Sequence, residues 1–65
     1  MSNEKNEAIL SKWDELKVLM ESLELDVNKN AHGNKSAGVR VRKGLRLLKT
    51  MSSEFIKASI ASDKE

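Results

Sequence analysis

Six lysines and arginines lie within residues 32–49, and no carboxylate lies among them. Guanidinium and ammonium groups bind carboxylates and phosphates, and the planar fork of arginine suits phosphate oxygens especially well. The asymmetry extends to the whole chain. Residues 1–32 hold four lysines and seven carboxylates, whereas residues 33–65 hold eight cations and three carboxylates. Charge divided in this way between two halves of a chain is a sign of contact with nucleic acid or with a membrane.

Other side-chain chemistry is nearly absent from the sequence. The chain has no cysteine and a single histidine, so it offers neither a disulfide nor a thiolate or histidine metal cage. It contains no spaced serine, histidine and aspartate set, no pair of metal ligands on one helix face and no glycine-rich phosphate loop after a strand. We therefore predict a protein that is not an enzyme, with no cofactor, no metal and no small-molecule substrate.

The elements that position the cations are predicted to be helices. The chain has no proline, three glycines and many Leu, Lys, Glu and Ala residues, a composition that favours helix. In each half, apolar residues recur at alternating spacings of three and four, the pattern of a helix that packs against another helix. In the first half, where Trp13 is expected in the core, they are Ile9, Trp13, Leu16, Met20, Leu23 and Val27. In the second half they are Ala37, Val41, Gly44, Leu48, Met51, Phe55 and Ala58.

A polar segment between the two halves predicts a tight turn. We expect Gly33 to end the first helix in a left-handed conformation, and Asn34 or Ser36 to cap the second helix. Gly38 and Gly44 are expected where the helices approach closely. The single predicted domain spans residues 1–65. Its first helix, turn, second helix and frayed tail are expected at about 4–30, 31–34, 35–60 and 61–65.

So short a connection predicts an all-α antiparallel two-helix hairpin. A chain of 65 residues buries too little surface to be comfortably stable alone, and it lacks the disulfides or metals that stabilise many small domains. We therefore predict a homo-oligomer, with a dimer favoured, in which two hairpins form a four-helix bundle or coiled coil. The sequence shows neither a signal-peptide pattern nor an apolar run long enough to span a membrane, so a cytoplasmic location is expected.

On a helical wheel of the second helix, most cations lie on one flank of the apolar stripe. With Val41 at zero, the main apolar residues fall within about 40° of it. The cations between about 80° and 160° are Lys35, Arg42, Arg46, Lys49 and Lys57, with Lys43 near about 200° and Arg40 on the other flank. Like charges spaced four apart, such as Arg42 and Arg46, weaken a helix. This local cost favours a phosphate-binding surface, to which the amides of the helix N-terminus add an anion-binding end.

Two other interpretations of these cations stay open. They could form a solvated helix face, or they could pair with carboxylates of the first helix or of another subunit. The carboxylates available on the first helix are Glu15, Glu21, Glu24 and Asp26.

The segment GNKSAGVRVRKGLRLLK, residues 33–49, resembles the bacterial linker-histone-like nucleoproteins of the chlamydial type, especially their short relatives without a tail. Those proteins open their second helix with a GNKAAG.R.RK segment that follows a leucine-rich acidic helix like LKVLMESLELDV here. The resemblance implies DNA binding and nucleoid organisation, and it carries over to Asn34, Lys35, Arg40, Arg42 and Lys43. The sequence given ends in ASDKE where chlamydial members have a Lys/Ala-rich tail, so we expect the helical body to bind DNA and no strong DNA compaction.

The function predicted from the sequence is that of a histone-like, nucleoid-associated architectural protein that binds double-stranded DNA without sequence specificity. RNA is an alternative ligand. The expected phosphate contacts are Asn34, Lys35, Arg40, Arg42, Lys43, Arg46 and Lys49. The alternative function is a helical protein–protein interaction module whose basic flank pairs with acidic protein surfaces.

Overall fold

The computed structural model describes residues 4–64, with side chains from residue 7 onwards, as two helices joined by a tight turn. Helix α1 spans Glu4–Ala31, and helix α2 spans Lys35–Asp63. The helices run antiparallel along each other, which confirms the all-α hairpin. Helix α2 was expected to end near residue 60 and continues to Asp63. Residue 65 lies outside the described residues.

The turn is built by Gly33 and Asn34. Gly33 has φ 101°, the left-handed conformation that glycine adopts without a steric cost. Its N–H donates to the Asn30 carbonyl (3.0 Å), and the Asn34 N–H donates to the Lys29 carbonyl (3.0 Å). This pair of bonds is the Schellman arrangement that closes a helix C-terminus. Asn34 then caps α2, because its Oδ1 accepts from the Ala37 N–H at 2.9 Å.

The core between the two helices is small. Among the described side chains, the buried apolar residues are Leu16, Leu23, Ala37 and Val41. Further along α2, Leu48, Met51 and Phe55 are half-buried, as their spacing predicts. The Cα trace measures 49 × 17 × 11 Å, so the hairpin is a single layer of two helices. Each helix is therefore covered by protein on one side only.

Trp13 is not in the core, contrary to the sequence prediction. The side chain is 51% exposed, and its ring and the Phe55 ring pack edge to face with their centroids 6.0 Å apart. Met20 and Val27, predicted on the same stripe, are also exposed. The apolar stripe of α1 is wider than the face that α2 covers. A single neighbouring helix contacts only the residues that point directly at it, so the residues at the edges of the stripe stay exposed.

Two glycines set the distance between the helices, as predicted. A Cβ atom on Gly44 would lie 2.5 Å from Cδ2 of Leu23, and one on Gly38 would lie 2.5 Å from Nδ2 of Asn30. No real Cβ contact is that short, so a side chain at Gly44 would displace the buried Leu23, whereas one at Gly38 would displace only the exposed ends of Asn30 and Arg42. Because Gly44 lies against Leu23, the register of α1 against α2 is fixed at that level.

Candidate nucleic-acid interface

The first turn of α2 presents an uncompensated positive end. The Ala37 N–H donates to the Asn34 side chain. The backbone N–H groups of Lys35 and Ser36 have no hydrogen-bond partner among the described residues. No acidic residue lies in the first turn. Free amides and the helix dipole favour an anion at this end. Asn34 contributes by fixing the start of the helix, since its side-chain oxygen is already used by the cap.

From this end, four cations continue along one flank of α2. We call them the basic stripe: Lys35, Arg42, Arg46 and Lys49. All four are exposed, and none forms an ion pair or a side-chain hydrogen bond with another residue whose side chain the structure describes. At a rise of 1.5 Å per residue, the stripe is about 21 Å long. That length corresponds to the rise of about six base pairs of duplex DNA.

Lys43 lies at the edge of this set. It is exposed and has no ion-pair partner within residues 7–64. On the helical wheel it lies about 60° beyond Arg46, almost opposite the apolar stripe. Its ammonium group therefore points to the back of α2, toward the other side of the hairpin.

Arg40 is the one predicted site residue that is held by a carboxylate of the described chain. Its Nε and Nη2 atoms donate to the two carboxylate oxygens of Asp26 at 3.0 and 2.9 Å. The guanidinium hydrogen bonds lower the pKa of the Asp26 carboxyl, and the carboxylate in turn raises the pKa of Arg40. Such a bidentate pair fixes the orientation of both side chains. Arg40 thus joins α2 to α1 on the flank opposite the basic stripe.

Among the described side chains, Asp26 and Arg40 form the one ion pair between an α1 carboxylate and an α2 cation. Glu15, Glu21 and Glu24 form no ion pair with α2 there. The sequence did not predict the Asp26–Arg40 contact. The two residues lie on the same side of the hairpin, which follows only from the antiparallel register of α1 and α2. The basic stripe is accordingly left without a protein counter-charge in the described hairpin.

A second surface feature was missed by the sequence analysis. An apolar groove with a volume of about 500 Å³ runs between the helices on the side away from the basic stripe. Its apolar residues are Val18, Leu19, Leu47 and Met51. The available signal was that Val18 and Leu47 are apolar and fall outside the predicted stripes. The periodicity of one helix cannot show that two such residues meet.

Comparison with known proteins identifies the family. The sequence model described as Histone H1-like protein Hc1 matches residues 11–65, a range that holds the whole basic stripe and most of both helices. The chain belongs to this histone H1-like family, which confirms the resemblance noted in the sequence. No curated protein and no solved structure matches the chain.

Family membership implies a DNA-binding nucleoid protein. The family consists of DNA-packaging proteins and is not known for enzymatic activity. As for membranes, neither α1 nor α2, over the part the structure describes, has a stretch long and apolar enough to cross one.

Proposed function

We propose that this chain binds double-stranded DNA without sequence preference, as an architectural protein of the nucleoid, through phosphate contacts of the basic stripe. The observation that carries the proposal is the exposure of four cations on one flank of α2 with no carboxylate paired to them among the described side chains. Family membership supports DNA as the polyanion. Phosphate contacts position a protein on a duplex without reading its sequence.

The low specificity follows from the side chains that the flank carries. Between the four cations lie aliphatic or small residues, including Val39 and Leu45. Base readout in the major groove relies on side chains such as Arg, Asn or Gln that reach the base edges from an inserted helix. Helix α2 carries no Asn or Gln. The cap residue Asn34 comes just before the helix, and its side-chain oxygen already accepts from the Ala37 N–H. The arginines are thus assigned to phosphate oxygens.

We assign different tasks to the other predicted contact residues. Arg40 has donors left beyond the two it gives to Asp26, but its position on the opposite flank assigns it to holding the helices together. Asn34 orders the N-terminal amides next to Lys35. Lys43 lies at the back of α2. The proposal therefore rests on Lys35, Arg42, Arg46 and Lys49.

A salt titration of duplex affinity tests this proposal. Four phosphate contacts predict that log K falls against log salt with a slope of about −3.6 per chain, equally for unrelated sequences. Changing Arg42, Arg46 and Lys49 together to Ala should reduce the magnitude of that slope by about 2.7. The matched control changes Lys17, Lys29 and Lys64 to Ala, which removes the same charge from exposed positions elsewhere.

Equal loss of affinity in the two triple variants would contradict the site, because net charge alone would then explain binding. Undetectable duplex binding by the unaltered chain at low salt would instead favour the protein-interaction module. The same titration with double-stranded and single-stranded RNA ranks RNA against DNA.

A further inference from the structure

Trp13 is half exposed, although tryptophan is highly buried on average in folded proteins. The ring plane of Phe55 is inclined by 60° to that of the indole, so the two rings are not stacked face to face. The chain has no other Trp, Phe or Tyr, and its one histidine lies at the turn. A flat aromatic surface that no other ring covers is therefore open to solvent at Trp13.

Trp13 faces the same side of the hairpin as the basic stripe. On the helical wheel of α1, it lies about 60° from the buried Leu16, and Asp26 lies about 80° from Leu16 in the opposite direction. Asp26 marks the side of Arg40, because these two residues form an ion pair. Arg40 is on the flank of α2 opposite the basic stripe, so Trp13 and the stripe project to the same side.

The contact between Gly44 and Leu23 gives the level of Trp13 along α2. In an antiparallel pair, a step toward the N-terminus of α1 matches a step toward the C-terminus of α2. Trp13 precedes Leu23 by ten residues, and residue 54 follows Gly44 by ten residues. Trp13 is therefore level with residue 54, about 7.5 Å beyond Lys49 along the hairpin axis.

The flank of α2 at this level carries two cations and a hydroxyl group. Lys49, Ser53 and Lys57 recur at intervals of four residues, at about 80°, 120° and 160° from Val41 on the helical wheel. All three are exposed, and neither lysine forms an ion pair with another described side chain. Ammonium groups on both sides of a hydroxyl donor suit the oxygens of a nucleic-acid backbone. Cations thus continue past the basic stripe to the level of Trp13.

The carboxylates closest to Trp13 along the hairpin point to its other side. Asp14 lines the apolar groove, and Glu54 lies on the groove side of the α2 wheel. On the side that Trp13 faces, Glu21 is eight residues, or about 12 Å, closer to the turn. An anion that approaches Lys49 and Lys57 therefore meets the indole before it meets a carboxylate.

We propose that Trp13 stacks on an unpaired base of a bound nucleic acid, an inference that rests on phosphate binding by α2 as the proposed function. A strand whose phosphates contact Lys49 and Lys57 presents a base to the indole. Aromatic side chains stack on bases of any sequence, because every base has a π face. In an intact duplex the neighbouring bases already cover both faces. The site therefore selects mismatches, bulges and single strands.

This residue gives the protein a preference for the state of the strand without a preference for its sequence. Phosphate contacts alone treat unrelated duplexes alike. With Trp13 beside those contacts, a locally unpaired duplex binds more tightly than an intact duplex of the same length and charge. The protein then concentrates at places where the two strands are open.

The fluorescence of the single tryptophan tests the proposal directly. The probes are an intact duplex and a duplex of the same length with a central run of T·T mismatches, so that the number of phosphates is equal. The mismatched duplex should quench Trp13 and should bind about ten-fold more tightly than the intact duplex. Unchanged fluorescence at saturation, or equal affinity for the two probes, would overturn the proposal.

Substitutions of Trp13 separate stacking from charge. Trp13→Leu removes the π face and should weaken binding of the mismatched duplex by about ten-fold, with an unchanged slope of log K against log salt. Trp13→Phe keeps a ring and should retain most of the preference. Met20→Ala is the matched control at an exposed apolar position on the same side, and it should leave the preference intact.

A Trp13→Leu variant that binds the mismatched duplex as tightly as the original would exclude stacking. If Trp13→Leu fails to fold by circular dichroism, the quenching of the unaltered chain and the affinity of Trp13→Phe decide the question. Fluorescence that changes with protein concentration alone, and not with the probe, would show that protein covers the indole. That result would also overturn the proposal.

The two probes separate this inference from the proposed function. If the intact duplex binds with the expected salt slope and mismatches neither quench Trp13 nor strengthen binding, the proposed function stands and stacking fails. If mismatched or single-stranded DNA binds and quenches Trp13 while the intact duplex does not bind, the stacking site stands and the proposed function fails.

Discussion

Asp26 and Arg40 join the two helices through two parallel hydrogen bonds, with the Asp26 side chain only 20% exposed and the Arg40 side chain 52% exposed. Asp26 lies about one and a half helical turns before the end of α1, and Arg40 lies equally far after the start of α2. The pair lies at the edge of the α1–α2 contact, beside the buried Leu23, Ala37 and Val41. The basic stripe lies on the other flank, where no α1 carboxylate is paired with it among the described side chains.

Stability should fall in acid because of this pair. The hydrogen bonds from Arg40 lower the pKa of Asp26 below its ordinary value of 3.8. A carboxyl whose pKa is lower in the folded state stabilises the fold above its unfolded-state pKa, and that contribution is lost as the pH falls through the folded-state pKa. Thermal unfolding followed by circular dichroism between pH 7 and pH 2 should show a loss of Tm that Asp26→Asn reduces. An acid limb of unchanged size in Asp26→Asn would contradict the assignment.

Arg40 and Arg42 should separate stability from DNA binding although they are two residues apart. Arg40→Ala removes the contact with Asp26 and should lower Tm while leaving most of the salt dependence of duplex binding intact. Arg42→Ala removes an unpaired exposed cation. It should leave Tm nearly unchanged and reduce the magnitude of the salt slope by about 0.9. The reverse pattern would show that Arg40 is the phosphate ligand and that Asp26 does not hold it.

Asn34 should reveal whether the N-terminal end of α2 lies near a phosphate. Asn34→Ala removes the cap on Ala37 and should cost about 1 kcal/mol of unfolding free energy. Asn34→Asp keeps the cap and suits the helix dipole, so the stability should be retained. Its negative charge should nevertheless weaken duplex binding at low salt, by about 1 kcal/mol for a phosphate within about 4 Å. Unchanged affinity in Asn34→Asp would place the DNA further along the stripe.

Trp13 provides an optical test of the contact between α1 and α2 far from the turn. Its indole is half exposed and lies against Phe55 on the side of α1 away from the groove. Phe55→Ala should remove an edge-to-face contact that is worth about 0.5–1.5 kcal/mol beyond area burial. Acrylamide should then quench the Trp13 fluorescence more strongly than in the unaltered chain. Equal quenching and an unchanged Tm in Phe55→Ala would contradict the contact.

The sequence by itself determined the local structure. Gly33 and Asn34 are in the turn where they were expected, because a left-handed residue and a cap are requirements of the backbone itself. The apolar period of α2 predicted which of its residues face α1, and the spacing of Gly38 and Gly44 predicted close approach. The unbalanced charge of residues 32–49 pointed to a polyanion. Each of these inferences depends on neighbours within a few residues along the chain.

Only the tertiary structure decided which flank of each helix is covered. The period of α1 placed Trp13 with the core residues, yet a single neighbouring helix covers too little of α1 to bury it. The same register brings Asp26 next to Arg40, and it brings Val18 and Leu47 together to form the apolar groove. These pairings join residues distant in sequence, and their partners depend on helix rotation and axial position. Periodicity carries no information on either, because it describes one helix at a time.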